Sequence, residues 1–194
     1  MALTTAGGSE IRRAISGCRM PATAVLAKEF PVSAVPDSSV VYAVERLSQV
    51  RSGVEALMQG HAAEFTYYRW LKGPADPDWN LYANLEFRGL FKAVTARSGS
   101  RLVGYFFIVF NRSPHFRKVE HVFDDTFYLA PEFRAGWGLY RFVKYAVEVM
   151  EHSGAAVLVV ADKVKSDLAP IWKRLGFQAE EIRYTKVARR ITGE

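Results

Sequence analysis

From Asp125 to Gly138 the chain reads Asp-Thr-Phe-Tyr-Leu-Ala-Pro-Glu-Phe-Arg-Ala-Gly-Trp-Gly. An apolar strand runs into Pro131, then into a short loop holding Arg134, Gly136 and Gly138, and a long amphipathic helical pattern follows at once. Glycine at a strand-to-helix turn lets the backbone approach a ligand closely. The free N–H groups of a helix start face that ligand and favour an anion. This is the outline of a pyrophosphate cradle, and it requires a strand and a helix that cross over together.

The rest of the pattern extends that unit. Helical spacing runs from about Val41 to Trp70 through Val41, Leu47, Val50, Val54, Leu57 and Met58, with Gly53 and Gly60 as points where it divides into two helices. Gly73-Pro-Ala-Asp-Pro-Asp is a turn signal, and Trp79 to Glu86 predicts a short helix. Three strands follow: Leu90–Arg97, Leu102–Phe110 after a Ser98-Gly-Ser hairpin turn, and Val119–Leu129. The second is almost wholly apolar, as for a strand buried on both faces. From about Trp137 to His152, Leu139, Phe142, Val143, Ala146, Val149 and Met150 share one helical face. Ala156–Val160 predicts a short strand, Asp167–Leu175 a helix, and Phe177 to about Val187 one or two last strands. The result is an α/β fold with a mixed sheet, antiparallel early and parallel at the crossover. Residues 1–37 lack sustained periodicity and are expected to be a weakly ordered arm; 38–194 form the domain.

Composition excludes several classes. No apolar run approaches the ~20 residues of a membrane span. The N-terminus lacks the apolar core of a secretory signal, and the lone cysteine makes a reducing, cytoplasmic setting the expectation. The one cysteine, Cys18, rules out an internal disulfide and a cysteine-rich zinc site. His115 and His152 have no metal-ligand spacing, and no metal is expected. The net charge of +6 fits an anionic cofactor, a nucleic acid or plain solubility. Its basic residues are scattered apart from Arg112–Lys118 and Lys186–Arg190, which disfavours nucleic acid.

Three pieces together resemble the GNAT superfamily of acetyl-CoA-dependent N-acetyltransferases. They are the hairpin Phe91–Tyr105, the signature Phe127–Leu139, and Ile171-Trp-Lys-Arg-Leu-Gly-Phe177. The middle piece looks most like small acetyltransferases encoded in phages and prophages. The resemblance implies a twisted mixed sheet of six to seven strands, helices on both faces, and splayed parallel strands holding acyl-CoA. It implies acetyl-CoA contacts at Tyr128, Leu129, Phe133, Arg134, Ala135, Gly136, Trp137, Gly138 and Leu139, with Arg134 adding charge to the phosphates. Two positions depart from the family pattern. Phe133 stands where a polar residue is usual, and Trp172 where a proton-donating tyrosine is usual, four residues before Gly176.

Acetyl transfer to an amine needs a proton acceptor. Glu120, His121, Asp124 and Asp125 lie on the third strand, with Glu120 and Asp124 on one face and His121 and Asp125 on the other, unless a bulge reverses the parity. Asp125 is the preferred base, with Asp124 and Glu120 behind it. Tyr184 and Tyr128 are the substitutes for the missing donor. His61 and the aromatics Phe65, Tyr67, Tyr68 and Trp70 fall where the family shapes its acceptor pocket. The implied activity is direct transfer from acetyl-CoA to a primary amine in a ternary complex, with a small molecule, a protein lysine or a protein N-terminus as acceptor. The competing expectation is a GNAT-fold module that binds acyl-CoA, a protein or a nucleic acid without turnover. A homodimer is open on either reading.

Overall fold

The computed structural model describes residues 40–64, 75–162 and 168–184. The elements in chain order are β1 (Val40–Glu45), α1 (Leu47–Glu64), α2 (Trp79–Phe87), β2 (Phe91–Ser98), β3 (Arg101–Arg112), β4 (Glu120–Leu129), a 3-10 turn (Pro131–Phe133), α3 (Gly138–Glu151), β5 (Val157–Val159) and α4 (Ala169–Arg174). The five strands make one sheet in the order β1-β2-β3-β4-β5. Neighbours are antiparallel up to β4, and β5 joins β4 in parallel after the α3 crossover.

Strand alternation divides the core between the two faces of the sheet. Val94, Ala96, Phe106 and Ile108 meet Phe142, Val143, Ala146 and Met150 of α3 and Trp172 of α4. Ala93, Tyr105 and Phe107 meet Leu47, Val50 and Val54 of α1, with Trp79 and Tyr82 of α2 against them. β3 is the strand buried on both faces, since Leu102 through Ile108 are all buried. Its hairpin with β2 turns at Gly99, whose φ of 59° suits glycine.

The first helix begins later than its spacing predicts. Val40–Glu45 is a strand, because the run Val-Val-Tyr-Ala-Val is rich in β-branched residues and pairs along β2 from Val40↔Ser98 to Glu45↔Ala93. The helix starts at Leu47, whose N–H donates to Glu86 Oε1 at 2.8 Å. It then runs unbroken through Gly53 and Gly60. Those glycines are sites of close approach. A methyl at Gly53 would lie 2.9 Å from Leu102 Cδ2, and one at Gly60 would lie 2.6 Å from the Tyr128 hydroxyl. The last strands expected after Phe177 are not found in 177–184, where residues 178–184 are exposed. The sheet thus has five strands among the described residues, against the six to seven that the resemblance implies. The arm at 1–37, the cluster Phe65–Trp70 and residues 185–187 lie outside the described residues.

One ion pair fastens the edge strand. Arg97 Nε and a terminal nitrogen donate to Glu45 at 2.8 and 3.0 Å, and Thr95 Oγ1 donates to the same carboxylate at 2.5 Å. The Arg97 hydrogen bonds hold the Glu45 carboxyl below its usual range, against burial, which acts in the opposite sense. A lowered folded pKa contributes stability above the unfolded value, about 4.3, and loses it as pH falls through the folded value. Glu45→Gln should therefore cost about 1–2 kcal/mol at neutral pH. The gap from wild type should shrink below about pH 4, as urea unfolding at several pH values would show. A gap independent of pH would mean that the pair contributes no charge-dependent stability.

Candidate active site

β4 runs for ten residues but pairs with β5 over three, His121↔Val157 to Phe123↔Val159. Beyond Phe123 the two chains part. Ala161 N–H turns to the Asp124 carboxylate at 2.8 Å instead of continuing the ladder. Among the described residues, Asp125 to Leu129 therefore have no strand on the β5 side. An open edge inside an otherwise paired sheet offers backbone donors and acceptors to an extended ligand.

That edge leads into the glycine loop. Gly136 has φ 60°, and Gly138, buried at the first position of α3, has no room for a side chain. A Cβ at 138 would lie 2.0 Å from the Phe133 carbonyl oxygen. Some amides in the loop are already committed, Arg134 N–H to Pro131 O at 3.1 Å and Gly138 N–H to Ala135 O at 3.2 Å. The amides of Ala135, Gly136, Trp137, Leu139 and Tyr140 donate to no backbone carbonyl among the described residues. Unmade N–H groups at the start of a 14-residue helix suit an anion.

Arg134 is turned to the strand. Its Nε donates to Leu129 O at 2.5 Å, a terminal nitrogen donates to Glu64 at 2.9 Å, and the guanidinium lies 5.1 Å over the Tyr128 ring. Arg174 of α4 brings a second cation to the loop, stacked over Trp137 at 4.9 Å and Tyr140 at 5.3 Å. The sequence alone does not connect Arg174 to this loop, because the contact arises from the packing of α4 on α3.

A bulge sorts the carboxylates. Thr126 opposes Phe107 and Asp124 opposes Ile108, which leaves Asp125 as the extra residue. Before the bulge, Val122 belongs to the α3 side; after it, Phe127 and Leu129 do. The parity reverses at Asp125. Asp125 is exposed and reached from the α2 side by Tyr82, whose hydroxyl donates to Oδ2 at 2.5 Å. Asp124 is engaged by Ala161, and Glu120 by Arg112 at 3.3 Å near the far end of the strand. Tyr184 is 89% exposed.

The α1/α2 face beside this strand is lined by aromatics. Tyr82 meets Phe107 edge-on at 5.3 Å, and Phe107 meets Tyr105 at 5.1 Å. His61, buried on α1, stacks on Tyr128 at 5.1 Å, and its Nδ1 lies 2.5 Å from the Tyr105 hydroxyl. Burial and the nearby Glu64 carboxylate raise the Tyr128 pKa against the opposing charge of Arg134, so its hydroxyl stays protonated at neutral pH. The signal for His61 was in the sequence. It continues the stripe Leu47, Val50, Val54, Leu57 at helical spacing, which turns it inward.

The residues present fit an acyl-CoA. Two features carry that fit: the open edge of β4, and the loop amides that have no backbone carbonyl partner among the described residues. No protein-family model and no curated protein matches the chain in sequence. Solved structures do match in fold. The ribosomal-protein-alanine N-acetyltransferase of Brucella melitensis biovar Abortus superposes with a TM-score of 0.56 at 17% identity, over 77% of this chain and 99% of that one. A predicted acetyltransferase of Clostridium acetobutylicum, solved with acetyl-CoA, gives 0.56 at 13% identity, over 76% and 95%. An aminoglycoside acetyltransferase from an uncultured soil metagenomic sample, in complex with sisomicin, gives 0.59 at 9% identity, over 79% and 99%. The open β4 edge, the glycine loop and these superpositions agree: the chain has the fold of the GNAT acetyltransferases.

Proposed function

We propose that the protein is an N-acetyltransferase that binds acetyl-CoA along the open edge of β4 and passes the acetyl group directly to a primary amine. The observation that carries this is the continuity of that edge with the glycine loop, where five amides lack carbonyl partners among the described residues. Ala135, Gly136, Trp137, Leu139 and Tyr140 bind the pyrophosphate through backbone N–H groups; Gly136 leaves the approach open, and Gly138 lets the first turn of α3 close against the Phe133 carbonyl. Arg174 adds charge at the same place. Tyr128, Leu129 and Phe133 flank the arm where it leaves the loop. When bound, acetyl-CoA supplies an acyl carbon already activated as a thioester.

On the α1/α2 side, Asp125 accepts the proton of the incoming amine. Tyr82 holds that carboxylate through its hydrogen bond, and the bulge turns it out of the ladder. The aromatic wall from Tyr82 to His61 excludes water from one side of the acceptor and presents ring faces to it. The scheme uses no acyl-cysteine intermediate, and there is no cysteine among the described residues. A module that binds without turnover is the second reading. One observation favours it: Trp172 carries an indole N–H, which donates a hydrogen bond but gives up no proton.

Calorimetry with acetyl-CoA, followed by thiol release over a panel of polyamines, aminoglycosides, amino sugars and lysine peptides, separates the two. Binding with turnover of one amine class is expected. Binding with no turnover on any amine supports the module, and no binding at all removes the acetyltransferase reading.

A further inference from the structure

Arg134 follows the 3-10 turn and directly precedes the loop amides of Ala135, Gly136 and Trp137. A cation at that place would suit a bound phosphate. The side chain is engaged elsewhere. Nε donates to Leu129 O at 2.5 Å, a terminal nitrogen donates to Glu64 Oε1 at 2.9 Å, and the guanidinium lies 5.1 Å over the Tyr128 ring. These partners come from two elements, the end of β4 and the last turn of α1.

The same turn of α1 meets Tyr128 directly. A methyl at Gly60 would lie 2.6 Å from the Tyr128 hydroxyl, and His61 stacks on the ring at 5.1 Å and 24°. Residues 60, 61 and 64 are three and four apart and so share one helical face. Gly60 and His61 meet the strand by shape. Glu64 adds the one ion pair between α1 and the cofactor loop among the described residues. An exposed ion pair alone stabilises little. This guanidinium, however, is held by a carbonyl, a carboxylate and a ring, which its planar fork suits. The Arg134 N–H donates to Pro131 O at 3.1 Å, so the turn that places the loop amides also places the guanidinium. The other end of α1 is fastened too, by the Leu47 N–H on Glu86.

We propose that Arg134 is a positioning residue: through Glu64 it ties the cofactor loop to the α1 wall of the acceptor side, instead of binding phosphate. This rests on the acetyltransferase reading above. The charge beside the anion then comes from Arg174, stacked on Trp137 and Tyr140. The tie fixes how far the wall that carries His61 stands from the open edge of β4, where the acetyl group arrives. Cutting it loosens the acceptor side and spares the cofactor side.

Arg134→Gln, Glu64→Ala and the double variant test the tie. In the ligand-free protein, amide hydrogen exchange over residues 61–64 should quicken roughly threefold to tenfold in each variant and stay unchanged over 47–54. Calorimetry should find CoA affinity within about twofold of wild type. With acetyl-CoA saturating, the KM of the amine that the panel above identifies should rise roughly threefold to tenfold, with kcat within about twofold. The double variant should be no worse than either single one, since both remove the same contact. Arg134→Lys keeps the charge without the fork and should fall between wild type and Arg134→Gln. A loss of CoA affinity of about tenfold in Arg134→Gln that Glu64→Ala does not share makes Arg134 a phosphate ligand and overturns the proposal. An unchanged amine KM overturns it as well, as does unchanged exchange over 61–64, the behaviour of an idle surface pair. Faster exchange throughout the domain overturns it too, since that marks a general structural contact. If the wild-type protein binds no CoA or turns over no amine, the acetyltransferase reading falls, and exchange over 61–64 then decides the tie by itself.

Discussion

Gly138→Ala is expected to abolish measurable coenzyme A binding, a loss of at least a hundredfold, or roughly 2.7 kcal/mol. The added Cβ would lie 2.0 Å from the Phe133 carbonyl oxygen, and that oxygen is backbone, so no side-chain rotation relieves the contact. Either the 3-10 turn Pro131–Phe133 moves or the first turn of α3 does. Both displace the amides of Ala135, Gly136, Trp137, Leu139 and Tyr140 from one another, and anion binding depends on their convergence. The core should also suffer, since α3 buries Phe142, Val143, Ala146 and Met150 against the sheet, and forced overpacking costs about 1–3 kcal/mol. Gly136→Ala is the informative contrast. Nothing lies within 4 Å of its added Cβ, so the cost is the left-handed backbone at φ 60°, of order 1–3 kcal/mol. Calorimetry and thermal unfolding of the two variants should show Gly138→Ala losing more affinity than Gly136→Ala. Wild-type affinity in Gly138→Ala would place the anion site elsewhere.

Local signals made this loop legible in the sequence. Pro131 stops β4, the glycines mark the turn, and the stripe through Phe142, Val143, Ala146 and Met150 fixes which face of α3 is buried. The β2–β3 hairpin and the all-buried β3 were readable for the same reason, since turn chemistry and hydrophobic pattern there agree. Long-range pairing was not readable. Val40–Glu45 carries apolar residues that also suit a helix, and what makes it a strand is its partner β2, about fifty residues away. The bulge at Asp125 leaves no mark in the run Phe-Asp-Asp-Thr-Phe, yet it decides which carboxylate faces α2. Gly53 and Gly60 look like helix breakers until Leu102 and Tyr128 are seen pressed against them. Tyr82, Glu64 and Arg174 reach the site through tertiary packing alone, and no spacing in the chain connects them to it.

Asp125→Asn is expected to lower kcat by roughly a hundredfold or more while leaving acetyl-CoA affinity unchanged, the usual scale for a positioned general base. Among the carboxylates of β4, Asp125 alone is both exposed and turned to the α2 side. Asp124 is held by the Ala161 amide, and Glu120 is paired with Arg112 at the opposite end of the strand, about 16 Å away at the rise of a β-strand. Asparagine preserves the shape and can still accept the Tyr82 hydrogen bond, so the substitution removes the basic oxygen and little else. Tyr82→Phe tests the other half of the pair. It keeps the ring packed against Phe91 and Phe107 and deletes the hydroxyl, so it should reduce turnover less than Asp125→Asn. Assays at rising pH separate the roles. A base deletion is partly rescued as more of the amine arrives already deprotonated, whereas a deletion that merely loosens the strand is not. Full activity in Asp125→Asn would move proton removal to water or to the buried His61–Tyr105 pair on the same face, 2.5 Å apart and already hydrogen-bonded. A matching loss of acetyl-CoA affinity would instead show that the bulge positions the cofactor and that Asp125 serves its geometry.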